Sequence, residues 1–240
     1  MKYAVYFGSR ALYQDMIPAA KSLLKHSDVD VIYLLSEDDK FPYELPSNVV
    51  NINVGKQLTR WFREGNPNWS SNWTPIGLIR VALSKVFPDI DRILTIDCDT
   101  IVVDDVSDLW DVPIDGKYFA GVKEPVLSGR SNGIYVNAGV VMLNLDKIRQ
   151  DGKDDEMIDL LNAKKLYFVA QDAMNHCCRY GIVEIPSEYN SCAYTAPVRS
   201  PKIYHFAGSR HFGWRNQPIY QKYVEMPWCD VRAEYKDICG

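Results

Sequence analysis

Arg92-Ile93-Leu94-Thr95-Ile96-Asp97-Cys98-Asp99 is the stretch on which the reading of this chain turns. Residues 93–96 have the aliphatic and β-branched composition of a strand buried on both faces, and they run straight into two carboxylates one residue apart. At this aspartate content about two Asp-x-Asp triplets arise by chance, so spacing alone says little. The chain also holds Asp28-Val29-Asp30 and Asp89-Ile90-Asp91, but neither follows a buried strand. In open α/β folds, ligands bind in the crevice beyond the carboxyl ends of the strands. Along an extended chain, residues i and i+2 point the same way, so Asp97 and Asp99 are expected side by side. Two hard oxygen ligands suit Mg²⁺ or Mn²⁺ and leave positions open for phosphate oxygens. The competing reading makes the same pair the cap of a turn.

Working outward, residues 4–8 read as a first buried strand and 13–25 as a helix with Ile17, Ala20, Leu23 and Leu24 on one face. Residues 29–35 and 49–54 are further expected strands. Strand, helix, strand at this spacing predicts a βαβ unit and a parallel sheet. Residues 66–75, rich in Asn, Trp, Ser and Pro, read as a loop, and 76–86 as a helix stopped by Pro88. Downstream, strands are expected at 101–103, 118–122, 139–143, 182–185 and 203–206, and helices at 154–164 and 170–179. No repeat, low-complexity tract or Gly/Ser linker interrupts the pattern. The expected fold class is α/β, one domain over 1–240, with a less regular C-terminal third.

The bulk numbers agree with that class. A chain of 240 residues with 47% hydrophobic and 24% charged residues can bury a full core. A net charge of −4 argues against a nucleic-acid coat. Six cysteines without a Cys-x-x-Cys pair argue against a zinc site of that spacing, and most are expected as reduced core thiols of a cytoplasmic protein. The N-terminus reads as a strand rather than a signal peptide. No apolar run approaches the ~18 residues of a membrane span, so membrane contact is expected to be peripheral at most.

Three other stretches carry chemistry. In Tyr135-Val136-Asn137-Ala138-Gly139 an Asn-Ala-Gly turn is expected to enter an apolar strand, its small residues letting a ligand approach the backbone. His205-Phe206-Ala207-Gly208 offers an imidazole at a strand end, which alone is an ordinary satisfied histidine and beside two carboxylates a third ligand. Arg80 precedes the acidic strand and is either a solvated helix charge or a cation for phosphate. The segment 93–102 also resembles the first motif of haloacid-dehalogenase-like phosphatases. That family carries the motif on its first strand, whereas here about three strands precede it, and the paired late aspartates are missing.

In this order the pieces resemble glycosyltransferase family 8, which includes bacterial lipo-oligosaccharide galactosyl- and glucosyltransferases and resembles glycogenin. The likeness runs from about Tyr3 to Trp214, through Arg80, Asp97, Asp99, Asn137, Ala138, Gln171, His205 and Gly208, with residues 19–23 similar to the family's first helix. It implies a GT-A fold: a Rossmann-like, mixed but mostly parallel sheet flanked by helices. Residues 1–110 would form the nucleotide-binding half and 111–240 the sugar and acceptor half. It implies a retaining transfer of a hexose from a UDP-sugar, UDP-Gal or UDP-Glc, with Mn²⁺ (or Mg²⁺) held by Asp97, Asp99 and His205. Phe7, Ser9, Tyr13 and Cys98 would contact the nucleotide, as would Arg80 and Asp97. Asn137, Ala138, Gly208, Arg210 and His211 would complete the donor site, with Gln171 and Asp172 at the reaction centre. The implied acceptor is a glycan (lipopolysaccharide, capsule or another) or other hydroxyl compound, and Trp61, Phe62, Trp69 and Trp73 are either sugar-stacking platforms for it or ordinary loop anchors.

The chain departs from the family pattern at three places. Ala170 stands where the family has an Asp before Gln171, which leaves the donor sugar open and disfavours a covalent intermediate. It also keeps an inactive nucleotide-sugar binder in view. The family's Lys falls on His211, beside Arg210, and one extra residue precedes Trp214. Ser9 replaces an acidic residue, and Tyr13 sits one place from the family's aromatic.

Overall fold

The computed structural model describes residues 1–70, 74–131, 133–208 and 212–238. In chain order its main elements are β1 (Tyr3–Phe7), α1 (Tyr13–Lys25), β2 (Val31–Ser36), β3 (Val49–Asn53), α2 (Leu58–Trp61) and α3 (Leu83–Val86). They continue with β4 (Arg92–Ile96), β5 (Thr100–Val102), β6 (Phe119–Lys123), α4 (Pro125–Ser131), β7 (Val136–Asn144), α5 (Leu145–Gln150) and α6 (Lys153–Ala163). Last come α7 (Ala170–Cys177), β8 (Ile182–Ile185), β9 (Ile203–His205), α8 (Pro218–Glu225) and α9 (Trp228–Val231).

Seven strands form one sheet in the order β3-β2-β1-β4-β7-β6-β8, and β5 pairs with β9 in a separate two-stranded sheet. The pairs β1–β2, β1–β4, β2–β3 and β6–β8 are parallel, and only β7 runs against its neighbours β4 and β6. The mixed, mostly parallel α/β sheet expected from the sequence is therefore present. Alternation splits each strand between two apolar layers: Val5 and Phe7 pack on one face with Ile79, Val141 and Met174, while Ala4 and Tyr6 pack on the other with Met16, Leu23 and Leu94. Each such large side chain contributes roughly 1.5–3 kcal/mol on burial.

Three local features matter for the site. Residues Pro75–Ala82 form a 3-10 helix, and only Leu83–Val86 is α-helical; Pro75, Gly77 and the β-branched Ile76, Ile79 and Val81 are poor α formers. Strand β7 begins at Val136 and is buried along all nine residues, so Asn137-Ala138-Gly139 lies inside a strand rather than in a turn before one. Asn175 clips α7 to that strand: its side chain accepts from Val136 N at 2.8 Å and donates to Val136 O at 2.9 Å.

The C-terminal part is tied to α1 by a buried ion pair. Asp15 is 0% exposed and receives Arg215 Nε at 2.8 Å, Arg215 Nη2, and the Tyr220 hydroxyl at 2.7 Å. Burial pushes its carboxyl up, against the bonds from Arg215 and Tyr220 that pull it down. Removing one partner of such a pair strands a charge. Arg215→Ala is therefore expected to cost about 3 kcal/mol, read as a fall in Tm of about 6–12 °C. An unchanged Tm would mean that the pair does not anchor the C-terminal part.

Cys98, Cys177 and Cys178 are buried free thiols and Cys192 is a half-buried one, whereas Cys229 is disulfide-bonded. No helix among the described residues is long and apolar enough to cross a membrane.

Candidate active site

Strand β4 delivers Asp97 to the edge of the sheet, where its backbone N–H donates to Gly139 O at 2.8 Å. The chain does not then stay extended, as the sequence reading assumed. It turns, with Thr100 Oγ1 donating to Asp97 O at 2.7 Å. The turn sends Cys98 inward, its thiol 3.5 Å from Phe7 O, and leaves both carboxylates outside, about one-third exposed. The pair therefore converges by a turn rather than by strand alternation.

The small sheet supplies the third group. β5 and β9 pair antiparallel with Thr100 opposite His205, and Phe206 N donates to Asp99 O at 2.9 Å. His205 Nε2 comes to 3.7 Å from Asp97 Oδ2 and 3.4 Å from Asp99 Oδ1. One ligand atom from each of the three lies within 4.8 Å of the others, the one such cluster among the described residues. Two carboxylate oxygens and an imidazole nitrogen form a donor set that fits Mn²⁺ or Mg²⁺.

The imidazole fits because Gly139 has no side chain. A Cβ there would lie 2.1 Å from His205 Cε1 and 2.4 Å from Nδ1. Burial opposes a charge on this ring, but Asp99, Cys192 and Asp97 outweigh it, and with only the protein's own charges around it His205 is pushed up to about 10. Burial likewise pushes the Asp99 carboxyl up, and His205 and Arg80 pull it below its ordinary range. Arg80 is buried, bonds Asp97 Oδ1 through Nη2, and lies 4.7 Å over the Phe7 ring.

Away from the acids, the first residues of β7 meet α7. Asn137 Nδ2 donates to Glu124 Oε1 at 2.7 Å, and Gln171 Nε2 reaches the same oxygen at 3.1 Å. Gln171 Oε1 accepts from Ala138 N at 2.8 Å. Asp172 accepts from the Tyr135 hydroxyl through Oδ1 and from Phe168 N, at 2.8 Å, through Oδ2. Ala170 is buried in the apolar layer under this network. The preceding Val169 has φ 47°, a costly conformation for a β-branched residue.

The remaining sequence candidates divide. Ser9 is half-buried at the sheet edge. Tyr13 is 4% exposed, its ring 4.9 Å from Phe41 and its hydroxyl held by Glu37 N at 2.7 Å and Asp38 Oδ2 at 3.0 Å. Gly208 has φ +79°, and a Cβ there would meet the Tyr194 hydroxyl at 2.3 Å. Phe62 is core, and Trp61 and Trp69 pack partly buried against it. Arg210, His211 and Trp73 lie outside the described residues.

Two residues of the site were missed. Glu124 is 4% exposed, and burial pushes its carboxyl up against bonds from Asn137 and Gln171 that pull it down. It follows β6 as Asp97 follows β4, on the same edge of the sheet, so a search for acids after buried strands would have found it. Asn190 is 0% exposed and bonds both His205 and Asn137. It closes a short 3-10 turn, Ser187–Asn190, for which the sequence gives no signal.

Comparison with known proteins gives a consistent picture. A family model described as glycosyl transferase family 8 matches residues 39–217. General stress protein A of Bacillus subtilis is 26% identical over 186 residues, covering 70% of this chain and 64% of that protein. The glycosyltransferase GlyE of Streptococcus pneumoniae is 28% identical over 162 residues, covering 65% of this chain and 39% of GlyE. This chain thus spans less than two thirds of the length of these curated relatives. The crystal structure of GlyE superimposes with a TM-score of 0.71 at 19% identity, over 98% of this chain and 63% of that one. The galactosyltransferase LgtC, solved with donor and acceptor sugar analogues, gives a TM-score of 0.71 at 16% identity, over 92% of this chain and 95% of LgtC.

Proposed function

The chain belongs to glycosyl transferase family 8, and from that premise we propose that it moves a hexose from a UDP-sugar to a hydroxyl of a glycan, with retention of anomeric configuration. The observation that carries this reading is the convergence of Asp97, Asp99 and His205 at the sheet edge where α/β folds bind ligands. When bound there, Mn²⁺ supplies Lewis acidity to the departing diphosphate. Asp97 and Asp99 would hold the cation on one side, and Arg80 bonds Asp97 and adds positive potential behind it. His211 and Arg210 are the candidates for further phosphate contacts. Phe7, Ser9, Tyr13 and Cys98 are the candidates around the nucleotide, and Gly208 is a candidate for close backbone approach. UDP-Gal and UDP-Glc are the donors to test first, and a glycan such as lipopolysaccharide or capsule is the acceptor class to test.

On the sugar side, Gln171 and Asp172 remain the candidates at the reaction centre, with Asn137 and Ala138 beside the sugar. A covalent intermediate needs a free carboxylate beneath the ring. Gln171 is an amide, Ala170 has no functional group, and both oxygens of Asp172 are engaged. These features favour a same-face attack in which the acceptor hydroxyl passes its proton to a phosphate oxygen. The phosphatase alternative wants further aspartates beside the acid pair, and the group found there is a histidine. The inactive-binder alternative is separated by turnover.

The test is a thermal-shift screen of nucleotide sugars with and without Mn²⁺, followed by assay of donor hydrolysis. UDP-hexoses with Mn²⁺ are expected to stabilise the protein by about 2.7 kcal/mol at a hundredfold excess over Kd, and the effect should vanish with chelator. A shift with GDP- or CMP-sugars alone would overturn the donor class, and binding without any turnover would identify a binder.

A further inference from the structure

Resting on the metal-site reading above, we propose that Asn190 is a positioning residue that holds His205 with its proton on Nδ1 and Nε2 turned toward Asp97 and Asp99. The backbone N–H of Gly139 has a polarity beyond choice. It can only donate, and it meets Asn137 Oδ1 at 2.9 Å. That oxygen also lies 2.9 Å from the Asn190 side chain, so Asn190 presents Nδ2 there. Its Oδ1 is left facing His205 Nδ1 at 2.7 Å. An amide oxygen only accepts, so Nδ1 carries the hydrogen, and in the neutral ring Nε2 is the bare nitrogen.

The other end of the network agrees. Ala138 N–H fixes Gln171 Oε1 as acceptor, so Gln171 Nε2 and Asn137 Nδ2 both donate to Glu124 Oε1. Two adjacent backbone amides of β7 thus set the polarity of a buried chain running from the metal histidine to Gln171. Asn190 has no solvent alternative at 0% exposure, and Thr195 Oγ1 pins its backbone carbonyl at 2.8 Å.

The experiment measures Mn²⁺ affinity directly, by calorimetric titration of the metal alone, in wild type, Asn190→Leu, Asn190→Asp and Asp99→Ala. Asn190→Leu is expected to bind Mn²⁺ about 10–100-fold more weakly, the usual effect of removing a partner behind a ligand. Asn190→Asp still accepts from Nδ1–H, but its second oxygen meets Asn137 Oδ1 where Nδ2 had donated, so it is expected to lose clearly less affinity than Asn190→Leu rather than none. A second readout needs no variant: in ¹⁵N-histidine-labelled wild type loaded with Zn²⁺, NMR is expected to show the hydrogen on Nδ1 of His205 and the metal-shifted resonance on Nε2. Wild-type affinity in Asn190→Leu, equal losses in the Leu and Asp variants, or a hydrogen on Nε2 would each overturn the proposal, and the NMR result stands even if Asn190→Leu fails to fold. Equal Mn²⁺ binding by wild type and Asp99→Ala would instead overturn the metal site itself, and this inference with it.

Discussion

Replacing Asp99 with alanine is expected to slow both sugar transfer and acceptor-free donor hydrolysis by about three orders of magnitude, because in the proposed reaction several kcal/mol of charge stabilisation on the leaving diphosphate would depend on a metal that Asp99 would help hold. Its carboxylate oxygen lies within the three-residue ligand cluster, and its ion-pair partner is His205. The local backbone is held by other atoms: Asp99 contributes its carbonyl, not its side chain, to the bond with Phe206 N. Metal-free thermal stability should fall modestly, because the buried His205 loses the carboxylate that most favours its charge, while Mn²⁺ affinity collapses. Asp97 makes a less clean probe, since removing it also leaves Arg80 buried without its carboxylate. Asp99→Ala turnover within a few-fold of wild type would show that the acid pair is a turn cap after all.

Gly139→Ala is expected to act almost as strongly while replacing no ligand. The added carbon would stand 2.1 Å from His205 Cε1, far inside contact distance, and Gly139 is fixed by the bond from Asp97 N to its carbonyl. The ring has to swing away from Asp97 and Asp99. Overpacking of this kind costs about 1–3 kcal/mol of stability, and with the histidine displaced, transfer should fall about a hundredfold through weaker metal binding. Gly129→Ala is the control: a Cβ there meets nothing within 4 Å, and activity should be unchanged. A Gly139→Ala enzyme with wild-type Mn²⁺ affinity would mean that His205 is not a ligand.

The parts of this molecule that were legible in the sequence are those whose environment is uniform along the chain. β1, β2 and β4 sit in the interior of a mostly parallel sheet and read as continuous apolar runs; α1 reads by its one-sided period. Short elements such as Pro125–Ser131, Leu145–Gln150 and Trp228–Val231 went unread because a helix of four to seven residues has too few turns to show a period. The acid pair was legible as a motif, yet its geometry was misread, since a turn and a strand can both follow Ile96. That His205 joins it could be expected only from the family resemblance. The physical cause is a pairing of Thr100 with His205 across more than a hundred residues, which no local pattern encodes. Asn190 was invisible for a similar reason: its importance is its place between His205, 15 residues on, and Asn137, 53 residues back, which no local pattern joins. Glu124 was legible in principle, as a carboxylate ending a buried strand before a proline, and was overlooked because a single acid lacks the spacing signature that drew attention to Asp97 and Asp99.

The most direct test is anomalous diffraction at the manganese edge from crystals grown with Mn²⁺ and UDP. One strong peak is expected in contact with Asp97, Asp99 and Nε2 of His205, with diphosphate oxygens completing its shell. Ordered UDP at the sheet edge with no peak between these three side chains, or a manganese ion bound elsewhere with His205 turned from the acids, would contradict the account.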